Sequence, residues 1–428
     1  MAVSRRRFLS AGIRAGLAAP LLGVAGCRSG SPVEIPTVPT PPPSPGLAAL
    51  YPDLRRHFIF EYYPWYGGPP NYEHWNYLDR HPPIDLASNY VPGLGPYDVR
   101  DTTVLAQQAE WIVNSGAGAI ALSWWGQGSW QDQRVSLIMD VMRDHDIKVT
   151  FAMEPYANDR SQHFADDVLY LIREYGEKRG FDAFLLVRDA GGAMGPVFKG
   201  FRCILPPTTT DCTGQVSAVP DYTPDDVWRA QTDSLRTSLR TEFDHVTLLA
   251  DSLEFARTPA SGFDGIGIYD NFIAPTDYLR YAGGASQAGL LFSFNVNPGF
   301  DSITPRVIPP GPCPYVPPPF APPTPGLDFA TSAGRELAAT SSAQRIADSF
   351  HATLSVQQDP SLQNARRGFF LVYINSFNEW HEGHAFEPMM DASLLSPAQA
   401  ALGYHNPQHG AYRLEALTAL LRPLTAPA

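Results

Sequence analysis

The chain has few cysteines, too few basic residues to balance its acids, and no long apolar run in its body. Only four Cys occur in 428 residues, and no two stand as a CxxC pair, so a structural zinc site is not expected. Lys and Arg number 31 against 43 Asp and Glu, for a formal charge of −12. Binding nucleic acid requires a basic face against the phosphates, and this balance argues against such a partner. Past residue 30 no stretch is apolar for the ~20 residues that a membrane helix needs. Gly191, Gly192 and Gly195 do not form a GxGxxG fingerprint and read as a turn. Ser123 lies outside any GxSxG nucleophile elbow. His381 and His384 stand three apart, whereas the zinc-binding helix of metalloproteases needs two His four apart. Neither a metal nor a cofactor is expected.

The N-terminus reads as an address. Ser4-Arg5-Arg6-Arg7-Phe8-Leu9 resembles a twin-arginine export signal, and Val24-Ala25-Gly26-Cys27 resembles a bacterial lipobox. Cleavage before Cys27 would leave that Cys as a lipidated first residue, with acyl chains holding the protein at a membrane. Residues 1–26 are read as the signal peptide, 27–50 as a Pro-rich tether, and 51–428 as one catalytic domain. Proline stiffens such a tether into an extended spacer of about 3 Å per residue. The protein is therefore expected to be exported and anchored at the cell surface. Export implies an oxidising compartment. Cys203 and Cys212 could pair across a short loop, leaving Cys313 odd, or Cys313 could pair with one of them.

In the body, short apolar runs recur at 58–63, 117–123, 147–153, 183–188, 246–250, 263–269, 290–296 and 369–376. Such near-continuous runs suit parallel strands buried on both faces. Helix-like stretches alternate with them at 103–115, 132–144, 161–178, 225–240, 276–287 and 338–356, the first with Asp101 and Thr102 placed as caps. Eight such units predict an α/β fold, a (β/α)8 TIM barrel, with a doubly wound open sheet as the rival. Two loops, 199–224 and the Pro-rich 301–327, are too long to be plain connectors and are expected on the cleft side.

The chemically suggestive residues follow the strands. Tyr63-Pro64-Trp65-Tyr66-Gly67 follows the first, Ser123-Trp124-Trp125-Gly126 the second and Glu154-Pro155-Tyr156 the third. Tyr269-Asp270-Asn271 follows the sixth, and Phe377-Asn378-Glu379 the eighth. Active sites of such barrels form where strand C-termini converge. The stretch INSFNEWHEGHAFEP holds Glu379 and Glu382 three apart, on one side of a turn, with Trp380 and His381 between them. Cleaving a glycosidic bond needs two carboxyl groups, one to protonate the leaving oxygen and one to act as base or nucleophile. Aromatic rings nearby suit the C–H faces of sugars. Aromatic residues make up 12% of the chain, although core packing accounts for many of them.

These pieces together resemble glycoside hydrolase family 99, the endo-α-mannosidases, from about residue 57 to 388. The resemblance rests on YYPWYG (62–67), the HW at 74–75, HPPIDLASNYVPGLGPYDVRD (81–101), ALSWWG (121–126), KVTFAMEPY (148–156), FDGI (263–266), NPGF (297–300) and NSFNEWHEG (375–383). It implies a (β/α)8 barrel and a retaining endo-acting hydrolase of internal α-mannosidic bonds in a mannan or mannose-containing glycan. In that family pattern Glu379 is the base toward the sugar's own 2-hydroxyl, and Glu382 is the general acid and then the base for water. The substrate-binding candidates are Tyr63, Trp65, Trp125, Glu154, Tyr156, Tyr269, Asn378 and His381. The chain departs from the family after the fourth strand, where GPVFKGFRCILPP (195–207) replaces an expected Tyr-Asp-Ser-Tyr motif. Two rival readings are a glycosidase for another cell-envelope glycan and a carbohydrate-binding lipoprotein without catalysis.

Overall fold

The computed structural model describes residues 46–425. The export signal, Cys27 and most of the tether lie outside the described residues. Its last residues, Leu47–Leu50, form one helical turn that packs on the core. Eight parallel strands follow: β1 Phe58–Tyr62, β2 Ala119–Trp124, β3 Lys148–Met153, β4 Met194–Gly200, β5 Thr247–Ala250, β6 Gly265–Gly267, β7 Leu291–Val296 and β8 Val372–Ile374. Each pairs in parallel with the next, and β8 pairs with β1. The ring closes through β7, which Phe294 interrupts. Leu291–Ser293 pairs with β6, and Asn295–Val296 pairs with β8. The barrel expected from the sequence is thus present. Among the described residues no helix is long and apolar enough to cross a membrane.

The helices that follow the strands are α1 Thr102–Ser115, α2 Val135–Asp144, α3 Phe164–Leu171, α4 Asp225–Leu239, α5 Tyr278–Gln287, α6 Ser332–Gln358 and α7 Tyr412–Thr425. The β5–β6 connection keeps only a single turn, Arg257–Ala260. Asp101 caps α1 as anticipated, its side chain accepting from the Thr103 amide, which satisfies an otherwise orphaned donor.

Side chains alternate across each strand. Phe58 and Phe60 point outward to the helix layer while Ile59 points into the barrel, and Leu248 and Leu249 divide the same way. Ala119 and Ala121 on β2, Val197 on β4 and Tyr373 on β8 share the interior with Ile59. Continuing this inward parity to the strand exits puts Glu61, Tyr63, Ser123, Glu154, Lys199, Asp251 and Tyr269 at the top of the barrel.

The fourth strand corrects the sequence reading. The barrel strand is Met194–Gly200, not 183–188. Leu186–Arg188 instead runs antiparallel to it as a hairpin arm, and Phe184 bridges to Val149. The run 183–188 is apolar because Leu185 and Val187 fill the barrel interior. Gly195, Pro196 and Lys199 disguise the true strand, since all three disfavour a buried strand position.

Both long loops follow strand C-termini. Residues 201–224 leave β4 and carry a small ribbon, Thr208–Thr210 against Val216–Ala218. Residues 297–331 leave β7. A disulfide joins Cys212 to Cys313 across 101 residues and leaves Cys203 free and buried. Of the pairings open from sequence, the long-range one is formed.

Candidate active site

An aromatic cluster covers the C-terminal end of the barrel. It contains Tyr63, Trp65, Tyr66, Trp75, Tyr97, Phe201, Tyr269 and Trp380, with Trp125 packed against it. Strand parity supplies Tyr63, Phe201 and Tyr269. The 63–101 segment after β1 supplies most of the rest.

Within it, the turn after β8 brings Glu379 and Glu382 together, at 1% and 2% exposure. Each carboxyl is held by its own donors. Glu379 Oε1 accepts the His381 amide at 2.9 Å, and the His381 ring lies 3.9 Å away. Glu382 Oε2 accepts the Tyr269 hydroxyl, and the His384 Nε2 lies 3.0 Å from it. The Ser376 hydroxyl accepts the Glu379 amide at 2.9 Å and meets His384 Nδ1 at 3.0 Å. With that hydroxyl donating to Nδ1, Nε2 carries the ring proton and donates to Glu382. One serine thereby orients both acids, one through its backbone and the other through histidine.

A cluster of rings flanks this turn. Trp65 stacks on His74 at 4.8 Å and 11°, the two lie 6.2 and 5.7 Å from His381, and Tyr77 also stacks on His381 at 5.5 Å. Burial pushes the His74 imidazole down to about 4, so it stacks as a neutral ring. His381 Nε2 donates to the His74 carbonyl at 2.8 Å, which fixes the ring plane. On the β2–β3 side, Ser123 donates to Glu154 at 2.8 Å and receives the Trp125 indole N–H at 3.2 Å. Trp125 lies 6.4 Å from Trp65, so Glu154 is joined to the ring cluster.

The expected residues divide into two sets. Glu379, Glu382, Tyr63, Trp65, Trp125, Glu154, Tyr269 and His381 converge. Asn378 converges too, but its amide clips strand exits together: it accepts the Tyr63 amide and donates to the Tyr63 carbonyl and the Tyr97 hydroxyl. Tyr156 does not join the cluster. Its hydroxyl donates to Asp167 and its ring packs edge-on to Trp124, in the layer between strands and helices. The chain turns at Glu154, whose carbonyl accepts the Tyr156 amide, so strand parity is lost before residue 156.

Ser376, His384 and His74 were not among the expected site residues. Their signal was present in NSFNEWHEGH and in the HW dipeptide, but only the folded turn shows that Ser376 lies between the two acids. Glu387, the third acid of the stretch, is a scaffold residue. It accepts from Gln108, Tyr97 and Trp380 at 2.8, 2.7 and 3.0 Å, and burial raises its carboxyl to about 7. Beneath the site, Lys199 forms a buried ion pair with Glu61, whose other oxygen accepts the Tyr63 hydroxyl at 3.1 Å. The Lys199 ammonium lies 4.7 Å from the centre of the Tyr373 ring and 5.7 Å from that of Tyr269.

Known proteins share parts of this sequence and its barrel fold. The profile of glycosyl hydrolase family 99 matches residues 53–186. A glycoprotein endo-alpha-1,2-mannosidase-like protein of Danio rerio is 26% identical, over 81% of this chain and 74% of its own length. The glycoprotein endo-alpha-1,2-mannosidase of Mus musculus is 25% identical, over 76% of this chain and 66% of its own. The structure of the GH99 endo-alpha-mannosidase of Bacteroides thetaiotaomicron shares the fold, with a TM-score of 0.60 and 20% identity, covering 86% of this chain and 97% of that one. The profile match over 53–186, the curated relatives and the common barrel together support glycoside hydrolase family 99 for this chain.

Proposed function

We propose that the protein hydrolyses internal α-mannosidic bonds of a mannan or mannose-containing glycan, with retention of anomeric configuration. One observation carries the reading: Glu379 and Glu382 share one buried turn among aromatic rings, and Ser376 links the hydrogen bonds that orient both of them. In this reading Glu379 takes the proton from O2 of the reacting sugar as O2 attacks C1. The bond from C1 to the leaving oxygen breaks, and Glu382 supplies that oxygen with a proton. Glu382, now a carboxylate, takes a proton from water as the water attacks C1. The C1–O2 bond of the anhydro sugar opens, and Glu379 returns its proton to O2. The route needs O2 and the leaving oxygen trans and diaxial, an arrangement that an α-mannoside has and a glucoside lacks. Glu154 would bind hydroxyls of the reacting sugar, and Trp125 would line a neighbouring subsite. The protein would act at the cell surface, held by a lipid on Cys27.

The test is Glu379→Gln and Glu382→Gln, assayed on α-mannan. Each should lower turnover at least ~10²-fold, the scale of lost acid–base catalysis, while oligosaccharide affinity survives. Turnover within tenfold of wild type in either variant would remove that residue from the mechanism.

A further inference from the structure

The two long loops leave the barrel beside Glu382. The first residues of the β7 loop are pinned to the catalytic turn itself, where the Asp301 and Ile303 amides donate to the Glu382 and His381 carbonyls at 2.9 Å. Gly383 makes this approach possible, since a Cβ there would lie 2.1 Å from the Asp301 oxygen. The β4 loop begins with Phe201, packed edge-on against Tyr269 at 5.3 Å, and Tyr269 in turn donates to Glu382.

Farther out, the Cys212–Cys313 bond joins these loops. β5 and β6 stand between β4 and β7, and the β4 loop is tied to the β5–β6 connection where Arg257 donates to the Leu205 carbonyl at 2.6 Å. The other flank of this strap is fastened to the segment after β1: Arg306 pairs with Asp85 at 2.5 Å, and Arg80 and Arg306 donate to the Thr304 and Asp79 carbonyls at 2.9 Å. That segment is itself zipped to the β8 loop through Gly93 and Met390. The rim is therefore continuous from the β4 loop round to the β1 loop. Among the described residues the connections after β2 and β3, which hold Trp125 and Glu154, are short and carry no such insertion, although Arg160 ties the second of them to the start of the β4 loop through the Phe201 and Arg202 carbonyls. The strap is stiffened by proline and presents exposed Val216, Val307 and Val316. Such aliphatic side chains block a sugar without hydrogen-bonding to it.

We propose that the Cys212–Cys313 strap is a specificity-determining wall. It stops the glycan on one side of the scissile bond, so the enzyme releases pieces of bounded length, and the glycan leaves over Trp125 on the open side. The inference rests on the glycosidase reading above and adds a limit on product size. The experiment is product sizing on α-mannan by mass spectrometry or gel electrophoresis. It compares the wild type, the wild type after mild reduction by a phosphine, and the double variant Cys212→Ser/Cys313→Ser. The wild type should give a narrow set of early products. Reduction or the double substitution should raise the share of longer products at least threefold. A broad wild-type distribution, or an unchanged distribution once the bond is cut, overturns the inference even if thermal stability falls. Wild-type turnover is the control that separates failure of this inference from failure of the glycosidase reading.

Discussion

Removing the Lys199 ammonium tests how the barrel floor is held. The Lys199 and Glu61 side chains are 2% and 3% exposed and face each other inside the barrel. Lys199→Met preserves the bulk of the stem but leaves the Glu61 carboxylate in an interior where an unpaired charge costs roughly 3–5 kcal/mol. With unfolding entropy near 2.1 cal/mol/K per residue, the 380 residues from 46 to 425 contribute roughly 0.8 kcal/mol/K, so the expected fall in Tm is about 4–6 °C. A second acid sharpens the test. Burial raises Asp251 to about 6, and the Lys199 charge opposes that rise. Because the folded value exceeds the unfolded one, the proton favours the folded state. The stability from that protonation is complete below pH 4, fades as pH rises, and is gone above about 6. Lys199→Met should therefore be more harmful at pH 8 than at pH 5, where Asp251 can take up a proton. Glu61→Leu/Lys199→Met removes the ion pair and, at pH 5, where Asp251 can take up a proton, should return to within ~1 kcal/mol of wild type. Denaturant unfolding of the three proteins at both pH values measures each quantity. A single variant within ~1 kcal/mol of wild type, or a double variant as unstable as the single, would refute the reasoning.

Glu387 should also impose a pH slope. Its folded value of about 7 lies above the ordinary carboxyl value of 4.5, so its contribution is full below pH 4.5 and lost as pH rises through 7. Thermal melts should show wild type losing more stability than Glu387→Gln between pH 5 and 8. Tyr269→Phe deletes the hydroxyl that donates to Glu382, and steady-state kinetics should show kcat down ~10-fold or more with a smaller change in KM. The chain-entropy estimate for a disulfide closing a ~100-residue loop is about 4.7 kcal/mol, so Cys212→Ser/Cys313→Ser should melt several degrees below wild type by calorimetry. Cys27→Ala should move the protein from the membrane fraction to the soluble fraction on an immunoblot.

Seven of the eight barrel strands stood close to the expected ranges because parallel strands buried on both faces announce themselves as apolar runs. The fourth did not, for the same physical reason. Leu185 and Val187 are apolar as interior filling, while the real strand carries Lys199 inward to meet Glu61. A buried ion pair between strands distant in sequence leaves no local pattern to read. Glu379 and Glu382 were legible from spacing, and Trp65, Trp125 and Tyr269 from their places after strands. Tyr156 misled because the turn at Glu154 ends the alternation two residues too soon. The Ser376–His384 link and the Cys212–Cys313 bond depend on how loops return in space, which no spacing along the chain encodes.

In the proposed mechanism Glu379 and Glu382 work on the C1–C2 edge of one sugar, through its own O2. Proton NMR of the first product released from α-mannan, recorded before mutarotation, tests this most directly. An α anomer is predicted. An initial β anomer would contradict the account.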